Sequence, residues 1–381
     1  MRSIFIKFLL LFLGVIVAVI LAEIALRILS STNIIPIDKK KSFANDAFIY
    51  SSTLKYTIKP YLTRDCSVPG NLPAVCYSNK YGFRDKDYDF NKPSNTYRIL
   101  LLGDSLTYGP GVNSKDTYPR IFEQIVKNNN KTNKKIEIIN MGMIFYGPQQ
   151  YYNLYLELGK KYKPDLIILS FHLLTDPYDA YEYNENKKTY LLKSIPDKIP
   201  YTISQSLKEH SYITRMILSA YYGWVNRQEI PVEKNVFHGQ KNRYQYDTQL
   251  NTSSPAMKKG WEISEKYVNA LIKAAASNGS KIVIVAFPTP AQIIPDEWKI
   301  MKEKGYVSDK NLYENSQTRK KLITLCLKNK WICLDLQNDL RKSKNPRKLF
   351  LIGDIHLTHA GNTITANAIY NFVINKVGEL K

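Results

Sequence analysis

The feature that most constrains this chain is a short aliphatic run that ends abruptly in a polar turn. Residues 99–102 read Ile-Leu-Leu-Leu and are followed at once by Gly103-Asp104-Ser105. A continuous apolar run of this length is typical of a parallel strand buried on both faces. Polar side chains at the carboxyl end of such a strand lie where open α/β sheets bind their ligands. Ser105 is therefore a candidate nucleophile; the alternative is that Gly-Asp-Ser merely ends a strand and caps the next helix.

From Tyr97 onward the chain alternates between predicted strands and amphipathic helices. The strands are predicted at residues 98–102, 136–140, 166–171, 281–287 and 331–336. The helices are predicted at residues 117–126, 148–161, 257–277, 311–329 and 359–377. This alternation indicates an α/β fold with a parallel five-stranded sheet covered on both faces, and right-handed crossovers make the sheet doubly wound.

Two segments do not follow this alternation. Residues 30–96 are rich in Ser, Asn, Pro and Lys, and we expect a stalk followed by extended segments that wrap a domain of residues 97–381. Residues 177–256 are predicted to form an insertion, either a cap or an ordered loop region beside the site. Its aromatic rings either stack on sugar rings or pack the insertion itself; they include Tyr178, Tyr181, Tyr183, Tyr190, Tyr201, Tyr212, Tyr221, Tyr222 and Trp224.

Residues 1–29 predict an N-terminal transmembrane anchor. Residues 8–22 are uninterrupted apolar sequence, and Arg2 and Lys7 precede them. If Glu23 and Arg27 pair at the membrane interface, the apolar stretch reaches the about 20 residues that a bilayer requires. A cleaved signal peptide has the same charged start and apolar middle, but no convincing Ala-x-Ala site precedes a polar boundary. Basic residues near the start favour a cytoplasmic N terminus and a periplasmic or cell-surface domain.

The chain is strongly basic, with 54 Lys and Arg against 33 Asp and Glu and a formal net charge of +21. Such a charge suits nucleic acids, anionic membranes or acidic polymers. The basic residues are spread along the sequence, with the tightest clusters at 39–41 and 131–135, which favours a solvated lysine-rich surface. Nucleic-acid binding is a third-ranked hypothesis, because it conflicts with the export signal and lacks a basic recognition element.

Four cysteines fit an exported protein, in which an even count suggests disulfides. We expect Cys66 to pair with Cys76, which lies close in sequence. Cys326 and Cys333 are either a second disulfide or two buried free thiols. The chain has no Cys-x-x-Cys motif and no His-rich spacing, so we predict no metal site and no cofactor.

A serine nucleophile needs a general base, and the base needs an orienting carboxylate. Among the five histidines, His356 is the best candidate, because it lies in a predicted loop just before the final helix. Asp354 lies two residues ahead of it, within reach of the same ring. The sequence therefore predicts Ser105, Asp354 and His356 on loops at the carboxyl side of one sheet.

Together these motifs resemble the SGNH/GDSL hydrolase family, in particular its membrane-anchored bacterial members. The similarity runs from about residue 60 to the end, apart from the insertion. It rests on Gly103-Asp-Ser-Leu-Thr-Tyr-Gly109, Gly82-Phe-Arg-Asp85, Gly111-Val, Asp116-Thr-Tyr-Pro119, Lys163-Pro-Asp165, Asp354-x-His356 and Gly361. The resemblance implies a flavodoxin-like sheet, hydrolysis or transfer of ester-linked acyl groups, and the roles of nucleophile for Ser105, base for His356 and orienting acid for Asp354.

The sequence departs from the family pattern at the oxyanion hole. Phe145 stands where the family has a glycine whose backbone N–H binds the oxyanion, and a phenylalanine would not comfortably hold a positive φ there. Thr175 stands where the family has an asparagine. The resemblance implies an oxyanion hole of the Ser105 and Phe145 N–H groups with the Thr175 hydroxyl; His172 either compensates or is an ordinary packed histidine. The family's aspartate is more often three residues before the histidine, where this chain has Gly353.

The first functional hypothesis is an extracytoplasmic serine esterase or O-acyltransferase that acts on acyl, above all acetyl, groups of a cell-surface or exopolysaccharide. Its partners are then an acylated carbohydrate or other ester and, through the N-terminal helix, the membrane. The second hypothesis is a catalytically impaired domain that binds glycan or scaffolds a polysaccharide assembly complex.

Overall fold

The computed structural model describes residues 2–32, 47–130, 133–196, 203, 206–207, 210–228, 252–297, 299 and 312–378. The basic cluster at 39–41 and Tyr201 lie outside the described residues. Two compact units are present: one of Met1–Ser52 and Lys187–Ile230, the other of Thr53–Asn186 and Pro231–Lys381. The domain boundaries drawn from the sequence stay a prediction.

The strands are β1 Phe48–Ser51, β2 Lys55–Ile58, β3 Thr63–Asp65, β4 Val75–Tyr77, β5 Thr96–Gly103, β6 Lys135–Gly142, β7 Leu166–His172, β8 Lys281–Phe287 and β9 Cys333–Asp335. The helices are α1 Arg2–Ser31, α2 Ser105–Tyr108, α3 Tyr118–Asn129, α4 Pro148–Glu157, α5 Asp176–Glu185, α6 Lys187–Lys193, α7 Tyr212–Arg227, α8 Pro255–Ala276, α9 Pro290–Ile293, α10 Gln317–Asn329, α11 Gln337–Arg341 and α12 His359–Phe372.

The larger unit is built on a five-stranded sheet in the order β6-β5-β7-β8-β9. All four pairings in it are parallel, and each crossover carries at least one helix. The predicted doubly wound α/β fold with a flavodoxin-like strand order is therefore confirmed. All eight residues of β5 are buried, as expected for a central strand covered on both faces.

Helices cover the two faces of this sheet. On one face, α3 and α12 pack on alternate residues of the strands, among them Ile99 and Leu101 of β5. On the other face, Phe171 of β7 stacks on Trp261 of α8 with 5.7 Å between ring centroids, and α8 in turn packs against α4 and α5. Burial of apolar area on both faces is the main stabilising contribution to such a three-layer unit.

Element boundaries differ from the predicted ones where local capping decides them. The predicted helix at 311–329 begins at Gln317, because the Ser316 side chain accepts a hydrogen bond from Arg319 N at 3.2 Å. The predicted helix at 148–161 divides into α4 and a 3-10 turn at Gly159–Tyr162, and the last predicted helix ends in a π turn at Val373–Val377. The short helix α2 was expected only in the alternative by which Gly-Asp-Ser caps the next helix.

Both near-neighbour cysteine pairs are disulfides. Cys66 pairs with Cys76, as expected, and the bond links the segments of the antiparallel pair β3–β4. Cys326 pairs with Cys333, which joins α10 to the edge strand β9 and decides between the two alternatives for these cysteines in favour of a disulfide.

The smaller unit contains α1, α6 and α7. In α1, Arg27 and Glu23 form an ion pair with 3.0 Å between Nη2 and Oε1, as the sequence predicts. Ser3–Ser31 is long and apolar enough to cross a membrane. Across the predicted insertion, most of the described tyrosines are buried, which favours packing over sugar stacking for Tyr178, Tyr183, Tyr190, Tyr212 and Tyr222.

Helix α2, which begins at Ser105, lies against the end of β6, and a glycine makes that approach possible. A Cβ at Gly142 would lie 2.6 Å from Tyr108 N and 2.7 Å from Thr107 C, both backbone atoms of α2. Backbone atoms cannot rotate aside as a side-chain tip can, so only a residue without Cβ fits at this contact.

We expect Gly142→Ala to lower the free energy of unfolding by about 1–3 kcal/mol, the usual cost of forcing a methyl group into a packed site. Thermal unfolding of the purified chain measures this as a lower Tm. Gly223→Ala in α7 is the matched control, because nothing lies within 4 Å of its Cβ position. An unchanged Tm for Gly142→Ala would contradict the close contact with α2.

Candidate active site

Ser105 is the first residue of α2, immediately after β5 ends. Asp104 caps this helix, because its Oδ1 accepts a hydrogen bond from Leu106 N at 3.0 Å. The cap fixes the turn, and Asp104 O also accepts from Thr107 N at 3.1 Å and from Tyr108 N at 3.0 Å, so Asp104 binds the free N–H groups of the first turn. Both predicted roles of this turn therefore coexist: it ends a strand and caps a helix, and it also presents a serine.

The three residues predicted as a catalytic set are in hydrogen-bonding contact in the expected order. Ser105 Oγ lies 2.8 Å from His356 Nε2, although the two residues are 251 positions apart. On the other side of the ring, Nδ1 bonds Asp354 Oδ1, which also accepts from His356 N at 2.8 Å. Asp354 thus fixes both the backbone and the ring of His356. An aspartate two residues before the histidine, rather than three, is therefore able to orient the imidazole.

Asp354 is held ionised. Burial by itself raises the pKa of this carboxyl, but the hydrogen bond and charge of His356 outweigh burial and hold the pKa below its ordinary value. A carboxylate at this place keeps the proton on Nδ1 and leaves Nε2 as the acceptor for the Ser105 proton.

The loop carrying His356 is closed by its own backbone hydrogen bonds, and the helix that follows it is bonded to α3. Leu351 N donates to His356 O at 2.9 Å, and Thr358 N donates to Leu349 O at 3.0 Å. Asn362, in the first turn of α12, accepts from Tyr118 N at 2.8 Å. The histidine is therefore positioned by α3 and α12, which pack together on one face of the sheet.

Three buried hydroxyl groups, one of them on α2, form a cluster that was not predicted from the sequence. Thr107 Oγ1 lies 2.9 Å from Ser170 Oγ and 2.9 Å from Tyr118 Oη, and Tyr118 Oη lies 2.6 Å from Ser170 Oγ. Burial raises the pKa of Tyr118 above its ordinary value, so the phenol keeps its proton. A lone serine within the apolar strand β7 is a sequence signal that could have indicated a buried polar contact there.

Arg84, in the motif Gly82-Phe-Arg-Asp85, fastens the loop that follows α2. Its guanidinium is buried and donates to Gly109 O, to Tyr108 O at 3.3 Å and to Val112 O at 2.6 Å. Burial lowers the pKa of Arg84 to about 10, which still leaves the group charged at neutral pH. A charged donor to three carbonyls of one loop holds that loop more firmly than neutral donors would.

Asp85, the next residue of the motif, fastens the second loop of the site. Its Oδ2 accepts from Asn140 N at 2.7 Å and from Arg120 Nη2 at 3.2 Å. Burial raises the pKa of Asp85 to about 6 against the opposing charge of Arg120. Asn140 in turn accepts from Gly142 N at 2.9 Å through its Oδ1, so the turn that leads to Phe145 begins from a fixed strand end.

Phe145 adopts a left-handed conformation, which is unfavourable for a phenylalanine. Its φ is +56°, and 38% of the residue is exposed. The backbone at this position thus keeps the turn that a glycine would favour, and the strain, of order 1 kcal/mol, is borne by the residue. Its assignment as an oxyanion donor stays a prediction.

Buried His172 and partly buried Thr175 form a hydrogen-bond network with the carboxylate of Asp104. Thr175 Oγ1 lies 2.8 Å from His172 Nδ1 and 3.3 Å from Asp104 Oδ2, and these two atoms are 3.1 Å apart. The threonine hydroxyl has one proton, so it serves one acceptor at a time. His172 is buried and braces the Asp104 cap, and the oxyanion role of Thr175 stays a prediction.

Within the described ranges, no three His, Cys, Asp or Glu side chains are grouped as a metal site requires.

Asp176, at the start of α5, is a fully buried carboxyl close to this network. Its Oδ1 accepts from Tyr151 Oη at 3.0 Å. Burial and the nearby charge of Asp104 raise the pKa of Asp176 well above its ordinary value, so the folded protein holds the carboxyl neutral. An asparagine has nearly the same shape and keeps the acceptor for Tyr151.

No protein-family model matches the chain, and no curated protein matches it. Several solved structures are similar to it. A lipase/acylhydrolase from Enterococcus faecalis is 10% identical, with a TM-score of 0.40 over 74% of this chain and 97% of that chain. A catalytic mutant of an acetylxylan esterase from Geobacillus stearothermophilus is 12% identical, with a TM-score of 0.40 over 74% and 96%. An acetyl xylan esterase is 13% identical, with a TM-score of 0.41 over 73% and 100%.

We expect Asp176→Asn to raise the Tm increasingly as the pH rises from 4 to 8. Near pH 4 the folded and unfolded chains both carry the proton. Above that pH the unfolded aspartate loses the proton and the folded one keeps it, so the wild-type chain loses stability that the asparagine variant retains. Differential scanning calorimetry across this range measures the gain, expected to reach at least about 2 °C. A gain that does not vary with pH would contradict the raised pKa.

Proposed function

We propose that the protein is an SGNH-type serine hydrolase that cleaves or transfers ester-linked acyl groups. The observation that carries the proposal is the contact of 2.8 Å between Ser105 Oγ and His356 Nε2, with Asp354 on the opposite ring nitrogen. The family motifs quoted from the sequence support it independently, because Arg84, Asp85 and Tyr118 of those motifs all brace this site.

In the proposed reaction, Ser105 Oγ attacks the acyl carbon while His356 Nε2 takes the hydroxyl proton. Asp354 keeps Nδ1 protonated and stabilises the imidazolium that forms. His356 then gives the proton to the leaving alcohol, and an acyl group remains on Ser105. Water or a sugar hydroxyl then attacks this ester while His356 Nε2 takes its proton. As the bond between Ser105 Oγ and the acyl carbon breaks, His356 gives that proton to Ser105 Oγ, which releases an acid or an acylated sugar and restores the serine.

The proposed oxyanion donors are the N–H groups of Ser105 and Phe145 and the hydroxyl of Thr175. The left-handed turn at Phe145 supports a backbone donor there, because a substitution other than proline leaves the N–H in place. The engagement of Thr175 with His172 and Asp104 weakens its donation to a substrate. Loss of one such donor costs roughly 100- to 1,000-fold in rate in other hydrolases, so we expect a slow enzyme.

We further propose that α1 is retained as a membrane anchor and that the larger unit acts outside the cytoplasm. Contacts of Glu23 with α7 support retention, because cleavage of a signal peptide would remove that residue. Two disulfides support an oxidising compartment. A protein so placed meets cell-surface polymers, and we propose O-acetyl groups of a cell-surface or exopolysaccharide as its substrate.

We expect Ser105→Ala to lower kcat/KM for an aryl acetate by at least about 1,000-fold, because the variant has no nucleophile. The assay uses the full-length chain in detergent. Ser277→Ala is the matched control, since its hydroxyl bonds Lys273 O at the end of α8. Equal turnover by the Ser105→Ala variant and the wild-type chain would disprove the proposed nucleophile.

A second candidate function is a catalytically silent domain that binds glycan or scaffolds an assembly complex. The observation that favours it is the Thr175 hydroxyl, which bonds within the Asp104–His172 network at the position where the family has an asparagine.

A fluorophosphonate probe separates the two candidates. The proposed hydrolase becomes labelled at Ser105, because His356 activates the hydroxyl for attack on phosphorus. We expect one probe per chain by intact mass, and no label on His356→Gln. An unlabelled wild-type chain that binds glycan saturably would favour the silent domain instead.

A further inference from the structure

Helix α7 of the smaller unit has two different apolar faces. One face is buried within the unit and contains Tyr212, Tyr222 and Val225 together with Arg215. The other face is open. Its large side chains are Met216, Ile217 and Trp224, which are 48%, 60% and 46% exposed. Residues at this helical spacing form one continuous stripe, and Ile213 and Ala220 complete it.

The N-terminus of α7 is bound by the charged pair of α1. Glu23 accepts from Tyr212 N at 2.9 Å, from Ile213 N at 3.0 Å and from Ser211 Oγ at 3.1 Å. Arg27 donates to His210 O and lies 5.5 Å from the centre of the Tyr212 ring. A carboxylate on the free N–H groups of a helix is a favourable arrangement, so this junction fixes the start of α7 to α1.

The position of Glu23 along α1 gives the depth of this junction. Lys7 and Glu23 are 16 residues apart, which corresponds to about 24 Å along a helix, whereas the hydrocarbon core of a bilayer is about 30 Å thick. If Lys7 lies at the cytoplasmic boundary, Glu23 lies just inside the opposite one. The first turn of α7 is therefore held at the outer membrane boundary.

If α7 extended into water from this boundary, its open apolar stripe would be exposed to solvent, which is unfavourable. Helix α7 has 16 residues and is about 24 Å long, too short to span the bilayer. Tryptophan is enriched at membrane interfaces, and exposed Arg227 beyond it suits anionic headgroups. A helix with one apolar stripe and a polar remainder lies in the interface with the stripe among the acyl chains.

We propose that α7 is an interfacial membrane helix and that the stripe formed by Ile213, Met216, Ile217, Ala220 and Trp224 contacts the lipid acyl chains of the outer leaflet. The inference rests on the proposed anchor, because the depth of the junction is set by α1. The protein then touches the membrane in two ways, through a spanning helix and through a helix lying beside it.

Introduced cysteines test the proposal, since all four native cysteines are in disulfides and an added one is the sole free thiol. The full-length chain is reconstituted in phosphatidylethanolamine–phosphatidylglycerol vesicles, spin-labelled and probed with oxygen, which enters lipid, and with a water-soluble nickel chelate. Test positions are Ile217→Cys and Ala220→Cys. Ser219→Cys and Asn226→Cys are matched controls, because they are exposed on the same helix but lie away from the stripe.

We expect labels at 217 and 220 to be several-fold more accessible to oxygen than to nickel, and labels at 219 and 226 to show the reverse. A Leu11→Cys label in α1 reports the anchor separately. If the Leu11 label is in lipid while those at 217 and 220 are open to nickel, the inference is wrong and the anchor stands. Labels at 217 and 220 that exclude both reagents would mean that protein covers the stripe, which also overturns the inference. A Leu11 label in water would overturn the anchor, and the inference with it.

Discussion

The hydrogen bond between Ser105 Oγ and His356 Nε2 is the contact that the surrounding buried groups hold in place. It joins residues 251 positions apart, so neither local sequence nor any single element maintains it. The parallel sheet brings the two loops to one edge, and the packing of α3 on α12 sets their separation. A shift of 1 Å between these loops would break the bond, and a catalytic contact tolerates little misplacement. The buried polar groups around the site can be understood as the means of preventing that shift.

These polar groups form separate supports under each loop. Arg84 holds the loop after α2, Asp85 holds the end of β6, and Tyr118 joins the hydroxyl cluster to the first turn of α12. Each support is buried, and a buried polar group is costly unless it is paired, so loss of one partner leaves another unpaired. These supporting residues therefore constrain the relative positions of Ser105, Asp354 and His356.

The sequence predicted the strands and the Asp354–His356 contact from local information, although it missed the local Ser316 cap that starts α10. The apolar run before Ser105 predicted β5, and the spacing of Asp354 and His356 predicted their contact, because two residues in one loop cannot be far apart. Three features escaped prediction for a common reason. The hydroxyl cluster brings together three distant segments, the Glu23 junction spans 189 residues, and the left-handed turn at Phe145 runs against the residue's own preference. Contacts between distant segments determine such features, and a local sequence pattern does not reveal those contacts.

At Phe145 the backbone N–H and the side chain have separate roles. On the proposed assignment, its contribution to chemistry belongs to the backbone N–H, which nearly every amino acid has. More than a third of the residue is exposed, so the side chain contributes to the surface of the molecule. The side chain at position 145 can therefore be changed while the proposed backbone donor stays in place. Asparagine or glycine at position 145 would also relieve the backbone strain. Substitutions there can therefore change the side chain next to the site without removing the proposed N–H donor.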